Sequence, residues 1–201
     1  MTGLHWDGPL ALDFSRIYPS LGPGGRRRPF KVFGFVLTNS EFHCVACYRL
    51  GQYADRVASR SASVGAVLRI VHRIWNRFIT HSHHCEVTGQ ARIGPGFLIM
   101  HRTGILIGPA TIGKNLVLHH NVTIGQRVAG GDHGVPCIGD NVWIGPGATI
   151  TGAITIGDGA TISAGTVLSR SVPPRALVGG VPGRIMALDY DNSAMLGRVV
   201  P

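Results

Sequence analysis

The fold of this chain is decided by residues 138–168, which read IGDNVWIGPGATITGAITIGDGATISAGTVL. An aliphatic residue recurs there at every sixth position, namely at Ile138, Ile144, Ile150, Ile156, Ile162 and Leu168. A helix has a period of about 3.6 residues and a simple strand alternates by about two, so neither explains this spacing. Six-residue self-similarity indicates a parallel β-helix, in which three hexads form one triangular coil of about 18 residues.

The same repeat begins well before residue 138. Aliphatic residues also occupy Val87, Ile93, Ile99 and Ile105 and, after one extra residue, Ile112, Leu118 and Ile124. Small residues such as Ala110, Ala148 and Ala160 often stand two positions earlier, where a tight corner needs a small side chain. We therefore predict a mainly β chain whose aliphatic side chains point inward and stack from coil to coil.

Composition divides the chain near residue 85. Residues 1–85 hold 11 of the 14 aromatic residues but only 8 of the 29 glycines. We predict an irregular and helical region over 1–84, a β-helix over 85–187 with a loop inserted at 126–136, and a tail over 188–201. Within the first region, residues 1–40 look irregular, whereas 41–57 and 64–79 are predicted to be helices.

The helix predicted over 64–79 has an apolar side and a basic side. Its apolar residues follow the i, i+3, i+4, i+7 pattern, and Arg69, Arg73 and Arg77 line another side. We expect the apolar side to pack into the core and the arginines to face solvent. Docking on an anionic membrane surface is the alternative.

The net charge indicates which kinds of partner the chain would bind, and the cysteine content indicates its cellular compartment. The net charge of +9 favours polyanions, such as the phosphates of a cofactor, a nucleic acid or a membrane surface. A nucleic-acid site interleaves basic and aromatic side chains, but the aromatics are concentrated in the N-terminal part, so no nucleic acid is predicted. The sequence contains no run of about 18 apolar residues, so no membrane span is predicted. Four cysteines form no dense disulfide framework, which favours the reducing cytoplasm.

Four segments of the chain resemble one protein family. They are EVTGQARI (86–93), MHRTGILIG (100–108), VTIG (122–125) and SVPPRALVGGVPGRI (171–185). These segments are similar to the hexapeptide-repeat acyltransferases, and within them to serine acetyltransferases and polysaccharide O-acetyltransferases. The resemblance covers about residues 75–187 and implies a left-handed β-helix. It also implies acetyl-CoA as the acyl donor and a homotrimer or dimer of trimers with active sites between subunits.

Transfer of an acyl group to an alcohol needs a base, because a hydroxyl is a poor nucleophile at neutral pH. The MHRTGI segment matches the family's catalytic-histidine motif, so the resemblance implies His101 as general base. Glu86 lies 15 residues earlier, where the family has the acid that orients this histidine. Glu86 is also the one carboxylate between Asp55 and Asp132, and an isolated acid in a sparsely charged β-helix needs a partner.

The loop at 126–136 interrupts an otherwise strict repeat, and long excursions from a regular scaffold usually carry function. In the family this loop reaches the neighbouring subunit's active site with a second functional histidine. His133 is the nearest match, with Asp132 beside it and Arg127 as a candidate for reading a substrate carboxylate. The alternative is a flexible surface loop.

One position departs from the serine acetyltransferase pattern. Those enzymes have an aspartate directly before the catalytic histidine, where it helps to bind the ammonium group of the amino acid. Here that position is Met100, which suits a less charged acceptor such as a sugar hydroxyl. His119 and His120 follow one coil later, and we expect them either to line the acceptor pocket or to lie exposed on the surface.

The resemblance also implies where the acyl donor binds. Backbone amides between adjacent coils would hold its arm at Gly145, Ala164 and Gly165, and Arg184 would meet its phosphates. No metal is predicted, because the histidine and cysteine clusters at 43–47 and 81–85 lack recognised zinc spacing.

The sequence therefore leaves three functions open. The main one is an acetyl-CoA-dependent O-acetyltransferase acting on a small molecule or a sugar. A true serine O-acetyltransferase is the alternative, and a catalytically silent β-helix scaffold is the second alternative.

Overall fold

The computed structural model describes residues 8–18, 29–128, 134–197 and 199–200. In this part of the chain the helices are α1 (Pro9–Ile17), α2 (Pro29–Thr38), α3 (Ser40–Ala58), α4 (Ala62–His83) and α5 (Ser193–Leu196). The helices α3 and α4 confirm the two predicted over 41–57 and 64–79, and they pack against each other. None of the described helices is long and apolar enough to cross a bilayer.

The prediction that residues 1–40 are irregular is wrong for α1 and α2. Both helices are short, and aromatic contacts hold them in place. The ring of Phe14 on α1 lies 5.1 Å from that of Phe42 on α3, and Tyr18 lies 4.8 Å from Phe35 on α2. Short helices are marginal on their own, so these two depend on tertiary packing that local periodicity does not reveal.

The expectation that the apolar side of α4 packs into the core is also wrong for most of that side. Leu68, Trp75 and Ile79 are half-buried or buried, with Trp75 packed against the core. The other apolar side chains of α4 are between 48% and 68% exposed, namely Val64, Val67, Ile70, Val71, Ile74 and Phe78. The helix thus has one wide apolar face, and only its edge at Leu68, Trp75 and Ile79 is covered within the described part of the chain.

The remainder of the chain forms the predicted parallel β-helix, whose three faces are sheets A, B and C. Sheet A holds β1 (Cys85–Val87), β4 (Ile105–Ile107), β7 (Thr123–Gly125), β10 (Thr149–Thr151) and β13 (Val167–Leu168). Sheet B holds β2 (Arg92–Ile93), β5 (Thr111–Ile112), β8 (Cys137–Ile138) and β11 (Thr155–Ile156). Sheet C holds β3 (Leu98–Met100), β6 (Val117–His119), β9 (Trp143–Ile144), β12 (Thr161–Ile162), β14 (Leu177–Gly179) and the antiparallel β15 (Arg184–Ala187).

The strand register stacks the inward-pointing aliphatic residues of successive coils on one another. Ile144 pairs with Leu118 of the coil before and with Ile162 of the coil after, and all three are fully buried. The small residue two positions earlier also points inward, since Ala148 and Ala160 have no exposed surface. Each buried aliphatic side chain stabilises the fold by about 1.5–3 kcal/mol, so the stacked interior is the main source of stability.

The helices cover the open end of this β-helix. The free edge of β2 faces α3, where the phenol of Tyr48 donates to the carbonyl of Ala91 and accepts from the N–H of Ile93, both at 3.0 Å. Arg49 donates to the carbonyls of Ile93 and Gly94 at 2.7 and 2.6 Å. A further coil stacked before β2 would have formed hydrogen bonds with these backbone groups, and side chains of α3 form them instead.

Arg49 is itself neutralised inside this junction. Its Nε lies 2.7 Å from Oδ2 of Asp13 on α1, and both side chains are buried. The other carboxylate oxygen of Asp13 accepts from the N–H of Phe97, just before β3, at 2.8 Å. One ion pair therefore joins α1, α3 and the first coil.

The C-terminal tail runs back along the corner between sheets B and C. The side chain of Asn192 donates to the carbonyls of Asn141 and Gly159, both at 3.1 Å. Further along, Val200 and Asn115 exchange two hydrogen bonds of 2.8 Å each. Since Asn115 belongs to the second coil, the tail links the last coil to the first part of the solenoid.

Arg49→Ala is expected to lower the free energy of unfolding by about 3–5 kcal/mol, because it breaks the buried ion pair with Asp13 and removes the donor to the carbonyls of Ile93 and Gly94. Chemical denaturation followed by circular dichroism measures the effect. The matched control is Arg69→Ala, which breaks the exposed pair with Asp55 and is expected to cost less than about 1 kcal/mol. Equal losses in the two variants would contradict the role of the buried pair.

Candidate active site

The corner between sheets C and A carries a histidine in an unusual backbone conformation. His101 directly follows β3, is exposed, and has a positive φ of 62°. Asn115, Asn121 and Asn141 adopt the same left-handed region elsewhere in the β-helix, and asparagine tolerates it better than most residues. A histidine here is strained, and such strain is concentrated at functional sites.

Three histidines of two consecutive coils meet at this corner. The ring of His101 lies 5.7 Å from that of His120 and 6.4 Å from that of His119, measured between centroids. The register pairs Met100 with His119, so the two residues lie side by side on β3 and β6. The structure therefore brings together four residues that the sequence proposed for the base and the acceptor pocket.

The electrostatics of the cluster favour a neutral imidazole at His119. Burial lowers the pKa of His119 from its usual 6.5, and the neighbouring His101 and His120 lower that pKa further. The Nδ1 atom of His120 is buried and has no hydrogen-bond partner among the described residues. A buried polar atom without a partner is costly, so this nitrogen is suited to meet a polar group of a bound molecule.

A row of small residues continues from the cluster along the same edge. By register, His119 on β6 lies next to Gly145, which follows β9, and Gly145 lies next to Ser163. Gly179 on β14 comes next and pairs with Arg184 on β15. Five strand spacings of about 4.8 Å separate Met100 from Arg184, a span of roughly 24 Å.

The corner residues beyond this row are small as well. Ala164 and Gly165 follow β12, and Gly165 has a φ of 66° with open space where a side chain would stand. Gly145 has a packing reason to be glycine, because a Cβ there would lie 2.8 Å from the backbone nitrogen of Ala164. All four residues predicted to bind the acyl donor thus lie along the edge that begins at the histidines.

Comparison with known proteins gives the same assignment for fold and family. A model of the family "Bacterial transferase hexapeptide (six repeats)" matches residues 138–170. The serine acetyltransferase of Escherichia coli strain K12 is 31% identical over 156 residues, which are 77% of this chain and 54% of that protein.

Two solved structures resemble the chain over most of its length. Soybean serine acetyltransferase, solved in complex with serine, is 32% identical to this chain, with a TM-score of 0.67. The match covers 89% of this chain and 68% of the soybean chain. The chain belongs to the serine acetyltransferase family. The Brucella abortus S19 serine acetyltransferase, solved in complex with coenzyme A, is 27% identical to this chain, with a TM-score of 0.72. The match covers 91% of this chain and 68% of the Brucella chain. The chain spans about half the length of the curated relatives it matches.

The acid that the family resemblance pairs with His101 lies on the neighbouring strand of sheet A. Glu86 is exposed on β1, beside Leu106 of β4, and His101 lies in the turn that leads into β4. No hydrogen bond between Glu86 and His101 is found in the described structure. The role of Glu86 in orienting His101 stays a prediction.

The inserted loop leaves the β-helix at a different corner, the one between sheets A and B. Its first described part includes Arg127, which is exposed and whose Nη2 lies 3.4 Å from the carbonyl oxygen of Ser169. Asp132 and His133 lie outside the described residues. Within one chain, the stems of the loop and the histidine cluster therefore occupy different corners.

Two residues of this site have no role in the sequence analysis. Trp143 on β9 is half-buried, and its ring lies 5.0 Å from that of His119. The signal for it was present, because Trp143 is the one tryptophan in the hexad region. Arg102, directly after His101, lies 3.4 Å from Glu41 on α3 and so ties the histidine corner to the helices.

His119→Gln is expected to weaken the acid sensitivity of the fold. The pKa of His119 is lowered in the native state, so below pH 6.5 the unfolded chain binds more protons and the free energy of unfolding falls. The variant loses this contribution, and its urea midpoint should fall less between neutral and acidic pH. His72 and His83, whose pKa values are also lowered mainly by burial, keep part of the dependence. An identical pH dependence in wild type and variant would contradict the assignment.

Proposed function

We propose that the chain is an acetyl-CoA-dependent O-acetyltransferase, with His101 as general base and L-serine as acceptor. The observation that carries the proposal is the strained, exposed His101 at the head of a row of small residues that ends at Arg184. Two relatives support the substrates, since one was solved with coenzyme A and another with serine.

Acetyl-CoA would lie along the edge between sheets C and A, with its thioester at His101. Gly165 leaves open space where a long arm can lie close to the backbone, and its neighbours Gly145 and Ala164 are small. Arg184 offers a positive charge for a phosphate. The span of roughly 24 Å along this edge suits an extended ligand better than a compact one. The donor supplies an activated acyl group, and the protein supplies its position and the base.

His101 would accept the proton of the acceptor hydroxyl as that oxygen attacks the thioester carbonyl. When the carbon–sulfur bond breaks, the protonated His101 would return this proton to the leaving sulfur, so the products are an acetyl ester and a free thiol. His119 helps by staying neutral, because a second positive charge beside His101 would oppose its protonation. Glu86 would stabilise the charged form of His101, as the family pattern implies.

A sugar hydroxyl is the second candidate for the acceptor. Met100 stands where serine acetyltransferases have the aspartate that helps to bind the ammonium group. Met100 is 39% exposed beside His119, and the ring of Trp143 continues the same uncharged surface. Such a surface favours an acceptor without an ammonium group.

The position of the loop favours active sites shared between subunits. His133 belongs to a segment that leaves the corner between sheets A and B, whereas His101 occupies the corner between sheets C and A. In a cyclic homotrimer the first corner of one subunit can face the second corner of its neighbour. We infer that His133 would serve the active site of the adjacent subunit, with Asp132 and Arg127 near the acceptor.

His101→Asn tests the base, because asparagine tolerates the positive φ of this corner but accepts no proton at neutral pH. We expect kcat to fall by roughly 10²–10⁴-fold, as for the loss of a general base. The readout is release of free thiol from acetyl-CoA with L-serine, L-homoserine and a panel of sugars. Full activity of the variant would contradict the role of His101. Absence of thiol release by wild type with every acceptor would contradict the proposed activity and favour a catalytically silent scaffold.

Met100→Asp tests the choice of acceptor. A carboxylate at this position should attract an ammonium group and raise kcat/KM for L-serine by roughly ten-fold, as for a hydrogen bond to a charged group. The matched control is Met100→Asn, which has a similar shape but no charge. If the aspartate variant gains nothing with L-serine while wild type prefers a sugar, the sugar is the acceptor.

A further inference from the structure

An unpaired apolar surface on α4 lies outside the site described above. It comprises Val64, Val67, Ile70, Val71, Ile74 and Phe78, and we call it the α4 stripe. At about 100° per residue, these six positions span roughly 120° of the helix circumference. Leu68, Trp75 and Ile79 lie beside one edge of the stripe and pack within the chain, whereas the six side chains of the stripe have no cover in the described structure.

Basic side chains border the α4 stripe. The helix contains no Asp or Glu, while Arg69, Arg73 and Arg77 form a row at a spacing of four residues. Arg69 pairs with Asp55 on α3, but no ion pair of Arg73 or Arg77 is found among the described residues. Wide exposed apolar surfaces on proteins mark contacts with other proteins or with membranes.

The helix α2 adds exposed aromatic side chains on the same end of the molecule. Phe30 is 91% exposed, and Phe33 and Leu37 are also exposed. His43 on α3 connects the two helices, since it contacts the Val36 carbonyl of α2 at 2.6 Å and its ring lies 6.0 Å from that of Trp75 on α4.

We propose that the α4 stripe docks on an anionic lipid bilayer, with α4 lying in the plane of the interface. Charge decides between this occupant and a second copy of the chain. Two α4 helices packed through their stripes would place the basic border of each helix at the rim of the contact, with no carboxylate on either helix to offset it. An anionic lipid surface instead complements both the apolar stripe and its basic border. The helix enters the interface and does not span it.

The test is flotation of the full-length chain with vesicles of phosphatidylcholine alone and of phosphatidylcholine mixed with phosphatidylglycerol. Wild type should float with the mixed vesicles, and added salt should weaken this binding. Ile74→Glu with Phe78→Glu should abolish it, because two charges would enter the apolar contact. Arg73→Gln with Arg77→Gln should weaken it by roughly five-fold for each arginine, since each basic residue near the surface contributes about that factor.

The matched control is Leu188→Glu, which changes a side chain that is 64% exposed on the C-terminal segment, away from α4. It should float like wild type. Thiol release with a soluble acceptor and circular dichroism verify that each variant is folded, so loss of flotation is separate from loss of the proposed chemistry.

Two results would overturn the proposal. One is absence of wild-type flotation with the mixed vesicles. The other is a fall in the molar mass measured by light scattering in the Ile74→Glu, Phe78→Glu variant with flotation unchanged, which would assign the stripe to a second copy. If that variant does not fold, the arginine variant alone decides, because its changes lie on solvated side chains.

Discussion

The guanidinium of Arg49 lies where the helices meet the first coil, and the rest of the molecule depends on how it is satisfied. A parallel β-helix leaves a row of backbone groups unpaired at its first coil, and unpaired edges invite association with other strands. Arg49 and Tyr48 bind these groups on β2, while Asp13 holds the guanidinium and the N–H of Phe97. Because His101 ends this same coil, the capping junction also fixes the strand that presents the candidate base.

The three corners of the β-helix have different neighbours, and this asymmetry locates the site. The chain's own tail covers the corner between sheets B and C through Asn192 and Val200. The inserted loop leaves from the corner between sheets A and B. The third corner carries His101 and the row of small residues, and within the described structure it has no segment of the chain laid over it. A site at this corner is therefore open to a ligand and to a neighbouring subunit.

Much of the fold follows from sequence, because a solenoid repeats one local solution. Once Ile144 is assigned to the interior, the six-residue period also assigns Ile150, Ile156 and Ile162, and the observed pairing of Ile144 with Ile162 agrees. The short aromatic helices escaped prediction because contacts such as Phe14 with Phe42 stabilise them, and such contacts are distant in sequence.

The arrangement of the candidate site follows in part from the sequence, while the roles of its residues stay predictions. Motif and spacing predict a common site for four residues, and the register brings them together, namely His101, Met100, His119 and His120. Trp143 was missed because its contact with His119 depends on how two coils stack around an insertion. The exposure of the α4 stripe was missed for a different reason. Periodicity reveals that a side of a helix is apolar, but it does not reveal whether anything covers that side.

The docking surface and the candidate site are close to each other in the fold, and this bears on the acceptor. The helix α4 leads directly into β1, and β1 carries Glu86 beside the strand that follows His101. A bilayer bound to the α4 stripe would thus lie near the first coil, where the histidines are. A free amino acid gains nothing from that arrangement, whereas an acceptor carried on a lipid would be brought to the active edge. Met100, which lacks the charge that an amino acid's ammonium group would need, points in the same direction. The family relationship is the reason to propose L-serine as the acceptor, whereas Met100 and the α4 stripe are the two features of this chain that would favour the second candidate, a sugar hydroxyl.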